Sequence, residues 1–146
     1  MKKFKFTLQK VLEYRQQLLN VEQGKLSKIN QRLLELEKSR NLLQDKIVEE
    51  NKALKTEASL GLKITQYELR QRQVCYLISA LDSASGAVLN EKMQKEEQRK
   101  VVVEANIDVK ILEKLRERRL MEYNVAVAKD EAKMIDEFVA NVTAER

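Results

Sequence analysis

The side chains of this sequence that could do chemistry are one cysteine, 23 carboxylates and 28 lysines or arginines, because histidine is absent. Histidine is the commonest general base and metal ligand, and a lone cysteine can build neither a zinc site nor an internal disulfide. Cys75 lies between Val74 and Tyr76, where a small packing residue is a simpler interpretation than a nucleophile. Three isolated glycines cannot form a phosphate-binding loop. We therefore predict a protein that is not an enzyme and that holds no cofactor and no metal.

Two clusters of basic residues could meet an acidic surface, and the chain as a whole has a formal charge of +5. They are Lys2, Lys3 and Lys5, and Lys110, Lys114, Arg116, Arg118 and Arg119. Glutamates are interleaved with the second cluster, so it is either the solvated face of a helix or a patch that binds an acidic protein. No DNA- or RNA-binding motif accompanies the charge, and we expect no nucleic-acid partner.

The elements that must present these side chains are long helices. Charged residues make up 35% of the chain and aromatic residues 5%, and it contains no proline and no tryptophan. Too few turn-forming residues are present for a sheet, whereas this composition with a 3.5-residue period is typical of coiled coils. Hydrophobic residues make up 43%, which is more than a disordered chain carries. The sequence therefore predicts an all-α fold.

Between residues 8 and 54 the apolar side chains recur at alternating steps of three and four, which is the seam of a coiled coil. The apolar seam positions are Leu8, Leu12, Leu19, Leu26, Ile29, Leu33, Leu36, Leu43, Ile47 and Leu54. The charged seam positions are Arg15, Glu22, Arg40 and Glu50. Charges on a seam weaken packing but help to fix register and partner. A helix with such a stripe is stable only when a partner covers the stripe.

We predict that the partner is the second half of the same chain, in an antiparallel two-helix coiled-coil hairpin with a short helical tip segment. The first helix spans about residues 7–58, with Thr7 as its cap and Gly61 just past its end. The tip segment spans about residues 62–82. Turn signals at residues 82–86 separate it from a last helix over about residues 87–143. Together these elements form one elongated domain, residues 1–146.

An apolar stripe on the last helix sets the expected register. It comprises Met93, Val103, Ile107, Ile111, Leu115, Val125, Ala128, Ala132, Ile135, Val139 and Val142. Antiparallel pairing then puts Leu8 near Val139 or Val142, and Leu54 near Met93. A parallel homodimer through the first helix is the alternative, and we favour the hairpin because neighbouring elements usually pack together.

Both ends of the chain resemble a known family. Residues 4–15, FKFTLQKVLEYR, resemble the start of the FliJ family of bacterial flagellar export proteins. Residues 111–119, ILEKLRERR, followed by Glu122 and Tyr123, resemble the family's C-terminal signature, as do residues 130–138, DEAKMIDEF. The middle of the chain, residues 56–90, carries no family motif, so the resemblance transfers no binding residue to it.

This resemblance implies a hairpin similar to the central stalk of rotary ATPases, acting as a non-catalytic component of flagellar type III export. It implies three partners: the flagellar export ATPase hexamer, the membrane protein of the export gate, and export chaperones. It also implies a cytoplasmic protein associated peripherally with the inner face of the cell membrane at the flagellar base. No signal peptide or membrane span is predicted, so no direct membrane insertion is expected. The alternatives are a homodimeric scaffold, a nucleoid-associated coiled coil, or an injectisome stalk.

Two groups of residues are predicted to bind these partners. Aromatic residues at the end of two paired helices are hard to bury, so the termini should contact the ATPase, with capping of the hairpin's own core as the alternative. The tip segment is more apolar than a connection requires, so it should contact the gate or a chaperone, unless it folds back against Leu54 and Met93. The group at the termini is Phe4, Phe6, Leu8, Val11, Arg15 and Phe138, and the tip group is Tyr67, Tyr76 and Leu77.

Overall fold

A computed structural model describes residues 2–145, and these residues form two helices with no strand. Helix α1 is Gln9–Ser59 and helix α2 is Ile64–Ala144. The helices run antiparallel and pack against each other, which confirms the predicted all-α hairpin. The start of α1 lies two residues after the predicted one, where Phe6 O accepts the Gln9 amide at 3.1 Å and Leu8 O accepts the Leu12 amide at 2.9 Å.

The turn between the helices occupies residues 60–63. Helix α1 ends with hydrogen bonds from the Leu60 amide to Glu57 O at 3.2 Å and from the Gly61 amide to Ala58 O at 3.3 Å. Gly61 has a φ of 95°, a left-handed conformation that glycine adopts without steric cost. Gly61 therefore ends α1 as predicted, and α2 begins after only two further residues.

The predicted break at residues 82–86 is wrong, because α2 continues through this segment without interruption. Helix breakers act weakly here: a helical glycine such as Gly86 costs about 1 kcal/mol relative to alanine. Packing offsets that cost, since Ala84 is half-buried and Val88 is only 2% exposed. The residues assigned to a separate tip segment are therefore the first turns of α2.

The chain divides into two compact units. Unit 1 is Met1–Glu22 with Val102–Arg146, and unit 2 is Gln23–Val101. Each unit contains part of both helices, so the prediction of a single domain stays a prediction.

Unit 2 contains most of the buried core. Leu33 and Leu54 of α1 are 7% and 6% exposed, and Val74 of α2 is 6% exposed. Two ion pairs join the helices: Lys92 with Glu37 at 3.8 Å, and Arg70 with Glu57. In unit 1, Leu12 and Val109 are each 4% exposed, and Arg15 pairs with Asp108 at 3.4 Å.

The predicted register is wrong in both units. In unit 1, Leu8 was expected beside Val139 or Val142, but the neighbouring Phe4 lies against Tyr123. In unit 2, Leu54 was expected beside Met93, whereas Glu57 pairs with Arg70 close to the turn. The cause is the short turn. Residues 64–86 pair with α1 instead of forming a separate tip, so every later residue of α2 lies opposite a different α1 residue from the one predicted.

This register also changes which face of α2 is covered. Met93, Ile107 and Ile111, which were assigned to the paired stripe, are 60%, 50% and 59% exposed. The covered face instead carries small and polar residues as well as aliphatic ones. Its members include Ala84, Val88, Glu91, Lys95, Gln98, Val102, Ala105, Val109 and Leu112. The α1 seam itself is confirmed, because its apolar positions are buried or half-buried apart from Leu8, which is 36% exposed.

Val88→Asp tests both the continuity of α2 and its covered face. Val88 is buried beyond the predicted break, so a charge there should destabilise the fold by about 3 kcal/mol, measured by chemical denaturation followed by circular dichroism. Leu89→Asp is the matched control, because the Leu89 side chain, next to Val88 in the sequence, is 62% exposed and should tolerate the change. Equal loss of stability in the two variants would contradict this packing.

Candidate partner-binding surfaces

A cluster in unit 1 joins the N-terminal arm to α2; we call Lys2, Phe4, Arg116 and Tyr123 the terminal cluster. The rings of Phe4 and Tyr123 lie 5.6 Å apart at an interplanar angle of 51°. The Arg116 guanidinium carbon lies 5.8 Å from the centre of the Phe4 ring, within the range of a cation–π contact. The Tyr123 hydroxyl donates a hydrogen bond to the backbone oxygen of Lys2.

Two features of the sequence position this cluster: the helical spacing of Arg116 and Tyr123, and a non-helical arm before α1. Arg116 and Tyr123 are seven residues apart on α2, or about two turns, so they share one face. Residues 2–8 precede α1 and are not helical, which lets them lie along that face. Two of the three segments that resemble the family, residues 4–15 and 111–123, thus meet in one place.

The residues predicted for the ATPase surface do not form one patch. Phe4 and Phe6 are half-buried, and Val11 is 42% exposed. Arg15 is held by Asp108. Phe138 was expected beside Phe4, but it lies fifteen residues beyond Tyr123 on α2, or about 22 Å at 1.5 Å per residue. The expected pairing of the two termini is therefore wrong for Phe138.

The last part of α2 is uncovered. Every described residue from 128 to 145 is exposed. The exposed apolar side chains include Ile135 at 62%, Phe138 at 70% and Val139 at 56%. We call the regularly spaced set the terminal stripe: it is Val125, Ala128, Ala132, Ile135, Val139 and Val142.

The terminal stripe lies on the side of α2 opposite the face that packs on α1. That face carries Arg116 and Tyr123, and the same seven-residue step continues it through Asp130 and Glu137, which are polar. The stripe is displaced from this face by about two residues, or roughly 200° around the helix. The stripe was predicted to pack on α1, but it lies on the opposite side of α2.

The tip residues lie at the turn end of unit 2. Tyr67 is 40% exposed and Tyr76 is 75% exposed, whereas Leu77 is half-buried. The Gln71 side-chain amide donates a hydrogen bond to the Tyr67 hydroxyl at 3.1 Å. Val74 lies within the same segment and is buried, so the segment is partly core and partly surface.

The two tip tyrosines line separate grooves. Tyr67 shares a groove with Gln71 and with residues 51–58 of α1, including Lys55. Tyr76 and Leu77 line another groove, whose other members are Lys46, Glu50, Leu69, Arg72 and Gln73. Nine residues separate the tyrosines, or about two and a half turns, which places them on opposite sides of α2. The structure therefore brings Tyr76 and Leu77 together but not Tyr67.

The remaining candidate chemistry is sparse. Cys75 is exposed, so its predicted role in packing is wrong. Among residues 2–145 no group of histidine, cysteine or carboxylate side chains is arranged to hold a metal ion. Neither described helix has a window apolar enough to cross a membrane. In the second basic cluster, Arg116 is engaged with the Phe4 ring.

These features define a helical-hairpin protein whose exposed apolar and aromatic side chains suit contacts with other proteins. The family model described as Flagellar FliJ protein matches residues 4–146, which is nearly the whole chain. The chain therefore belongs to the FliJ family, a non-enzymatic family of flagellar export components. No curated protein and no solved structure matches the chain significantly.

The terminal cluster predicts how firmly the N-terminal arm is held. Arg116→Ala removes the contact with the Phe4 ring, which is worth about 0.5–1 kcal/mol at an exposed site. Trypsin should then cleave after Lys5 about three times faster, measured by mass spectrometry, with little change in melting temperature. Arg118→Ala is the control, because Arg118 is exposed two residues away. Equal cleavage rates in both variants would show that the cluster does not hold the arm.

Proposed function

We propose that this chain is a non-catalytic coupling component of flagellar type III export. It links the export ATPase hexamer to the membrane protein of the export gate and assists the handling of export chaperones. The observation that carries the proposal is the family match over residues 4–146. The site of action follows from the family: the cytoplasmic side of the flagellar base, with peripheral attachment to the membrane there.

Unit 1 is the proposed ATPase-binding unit. Its support is the exposed end of α2, where Phe138 is 70% exposed, and, at a separate place on the same unit, the arm that carries Phe4 and Phe6. Large aromatic side chains are common anchors of protein interfaces because they bury a large area at little entropic cost. Leu8 and Val11 add partly exposed apolar area on the same unit, and Arg15 pairs with Asp108 there.

Phe138→Ser tests the ATPase surface without disturbing the fold. Because Phe138 has no covering neighbour, the variant should keep its melting temperature but bind the export ATPase about 10-fold more weakly by calorimetry. Met93→Ser is the control, an apolar side chain on α2 that is 60% exposed and belongs to unit 2. Unchanged ATPase affinity for Phe138→Ser would remove Phe138 from the proposed surface.

Unit 2 is the proposed gate-binding or chaperone-binding unit. The groove of Tyr76 and Leu77 offers an apolar floor with charged rims from Lys46, Glu50 and Arg72. A mixed rim around an exposed aromatic side chain is the usual anatomy of a protein interface. Tyr67 lies in the other groove and is already hydrogen-bonded to Gln71, so it has less surface to offer.

Separate substitutions distinguish the two grooves. Tyr76→Ala should reduce gate or chaperone binding about 10-fold, measured by calorimetry with the purified partners, while circular dichroism and ATPase binding stay the same. Tyr67→Ala is the matched control from the other side of α2 and should change binding less. If only Tyr67→Ala weakened binding, the contact would belong to the groove of Lys55 and Gln71. Normal binding in both variants would count against the tip as a partner site.

A further inference from the structure

The terminal stripe of α2 is an apolar surface that nothing in the described chain covers. Its members from Ala128 onward are exposed, and the stripe faces away from the side of α2 that packs on α1. We propose that the terminal stripe is a self-association site, at which the ends of α2 from two copies of this chain pair antiparallel. The proposal concerns the free protein and does not depend on the coupling role.

The spacing of the stripe fits this arrangement. Its steps are three, four, three, four and three, which makes alternating a and d positions of a heptad. In an antiparallel pair each a residue meets a d residue of the other copy. One register pairs all six residues: Val125 with Val142, Ala128 with Val139, and Ala132 with Ile135, each twice by two-fold symmetry. A shift by one heptad leaves residues at the ends of the stripe without a partner.

The sizes of the paired side chains also agree. In this register each alanine faces a larger residue, so the layers have similar volumes and the helices stay at a constant separation. A parallel pair in register would instead oppose Ala132 with Ala132 and Ile135 with Ile135. Thin and wide layers would then alternate, leaving gaps beside the alanines that reduce packing energy.

Charge discriminates even more clearly between the two orientations. Lys129 and Asp136 occupy the two e positions beside the stripe, and antiparallel helices place e opposite e. Each Lys129 therefore meets Asp136 of the other copy, giving two attractive pairs. In a parallel pair the g residue Glu131 would meet Asp136, giving two repulsive pairs. The surplus acidic residues Asp130 and Glu137 are at f positions, directed away from the contact.

The core of the contact is tested with the full chain in a concentration series by sedimentation equilibrium. The wild-type mass should rise from that of a monomer to that of a dimer. Ile135→Glu should abolish dimerisation, because it places a charge in the central layer. Met134→Glu is the control, since Met134 is 70% exposed but lies off the stripe, and it should dimerise normally. A monomeric wild type at every concentration, or equal disruption by both variants, would overturn the proposal.

The orientation is tested by exchanging the two charges. Asp136→Lys should weaken the dimer about 10-fold, because two attractions become two repulsions. Adding Lys129→Glu in the same chain should restore the affinity to near the wild-type value. Tightening by Asp136→Lys alone would indicate a parallel pair and refute the antiparallel one. Because these measurements use the chain without any partner, their failure is distinct from a failure of ATPase or gate binding.

Discussion

The turn at residues 60–63 determines which residues of the two helices meet. In an antiparallel pair the position of the turn fixes every later pairing, since each helix advances by the same rise per residue. Gly61, with its left-handed φ of 95°, ends α1 sharply enough for α2 to start at Ile64. Helix α1 has 51 residues and α2 has 81, so α2 must continue past the residues that α1 and the arm can cover. The exposed terminal stripe is a direct consequence of this difference.

The ion pairs between the helices contribute more to the choice of register than to the free energy of unfolding. Arg15 with Asp108 and Lys92 with Glu37 join the helices, but their side chains are one-third to one-half exposed. Exposed pairs of this kind contribute only about 0–1 kcal/mol each. A slipped register would separate these partners and oppose other charges, which is costly over many positions. The charged seam position Arg15 pairs with Asp108, which is consistent with a role in fixing the register.

Much of the fold was predictable because α1 carries a single apolar stripe. Its seam from Leu12 to Leu54 and its end at Gly61 could be predicted directly, since the seam is the most regular apolar spacing on this helix, although Leu34 and Leu42 are exposed apolar residues outside it. Helix α2 carries two apolar faces, and periodicity alone does not say which face α1 covers. The more hydrophobic set was predicted to pack on α1, but Met93 and Ile107 from that set are 60% and 50% exposed. The turn signals at Ser83 and Gly86 reinforced the error, because local propensities there are weaker than the burial of Val88.

The candidate surfaces were predictable only to the extent that they depended on residue type. Aromatic side chains near the termini and the turn could be selected by residue type, but their grouping required the register. In the observed register the N-terminal arm lies beside Tyr123, so Phe4 contacts that residue. Phe138 lies further along α2, beyond the residues that the arm covers. Exposed apolar area gains about 25 cal/mol per Å² only when it is covered, so the exposed stripe contributes nothing to the stability of the isolated hairpin.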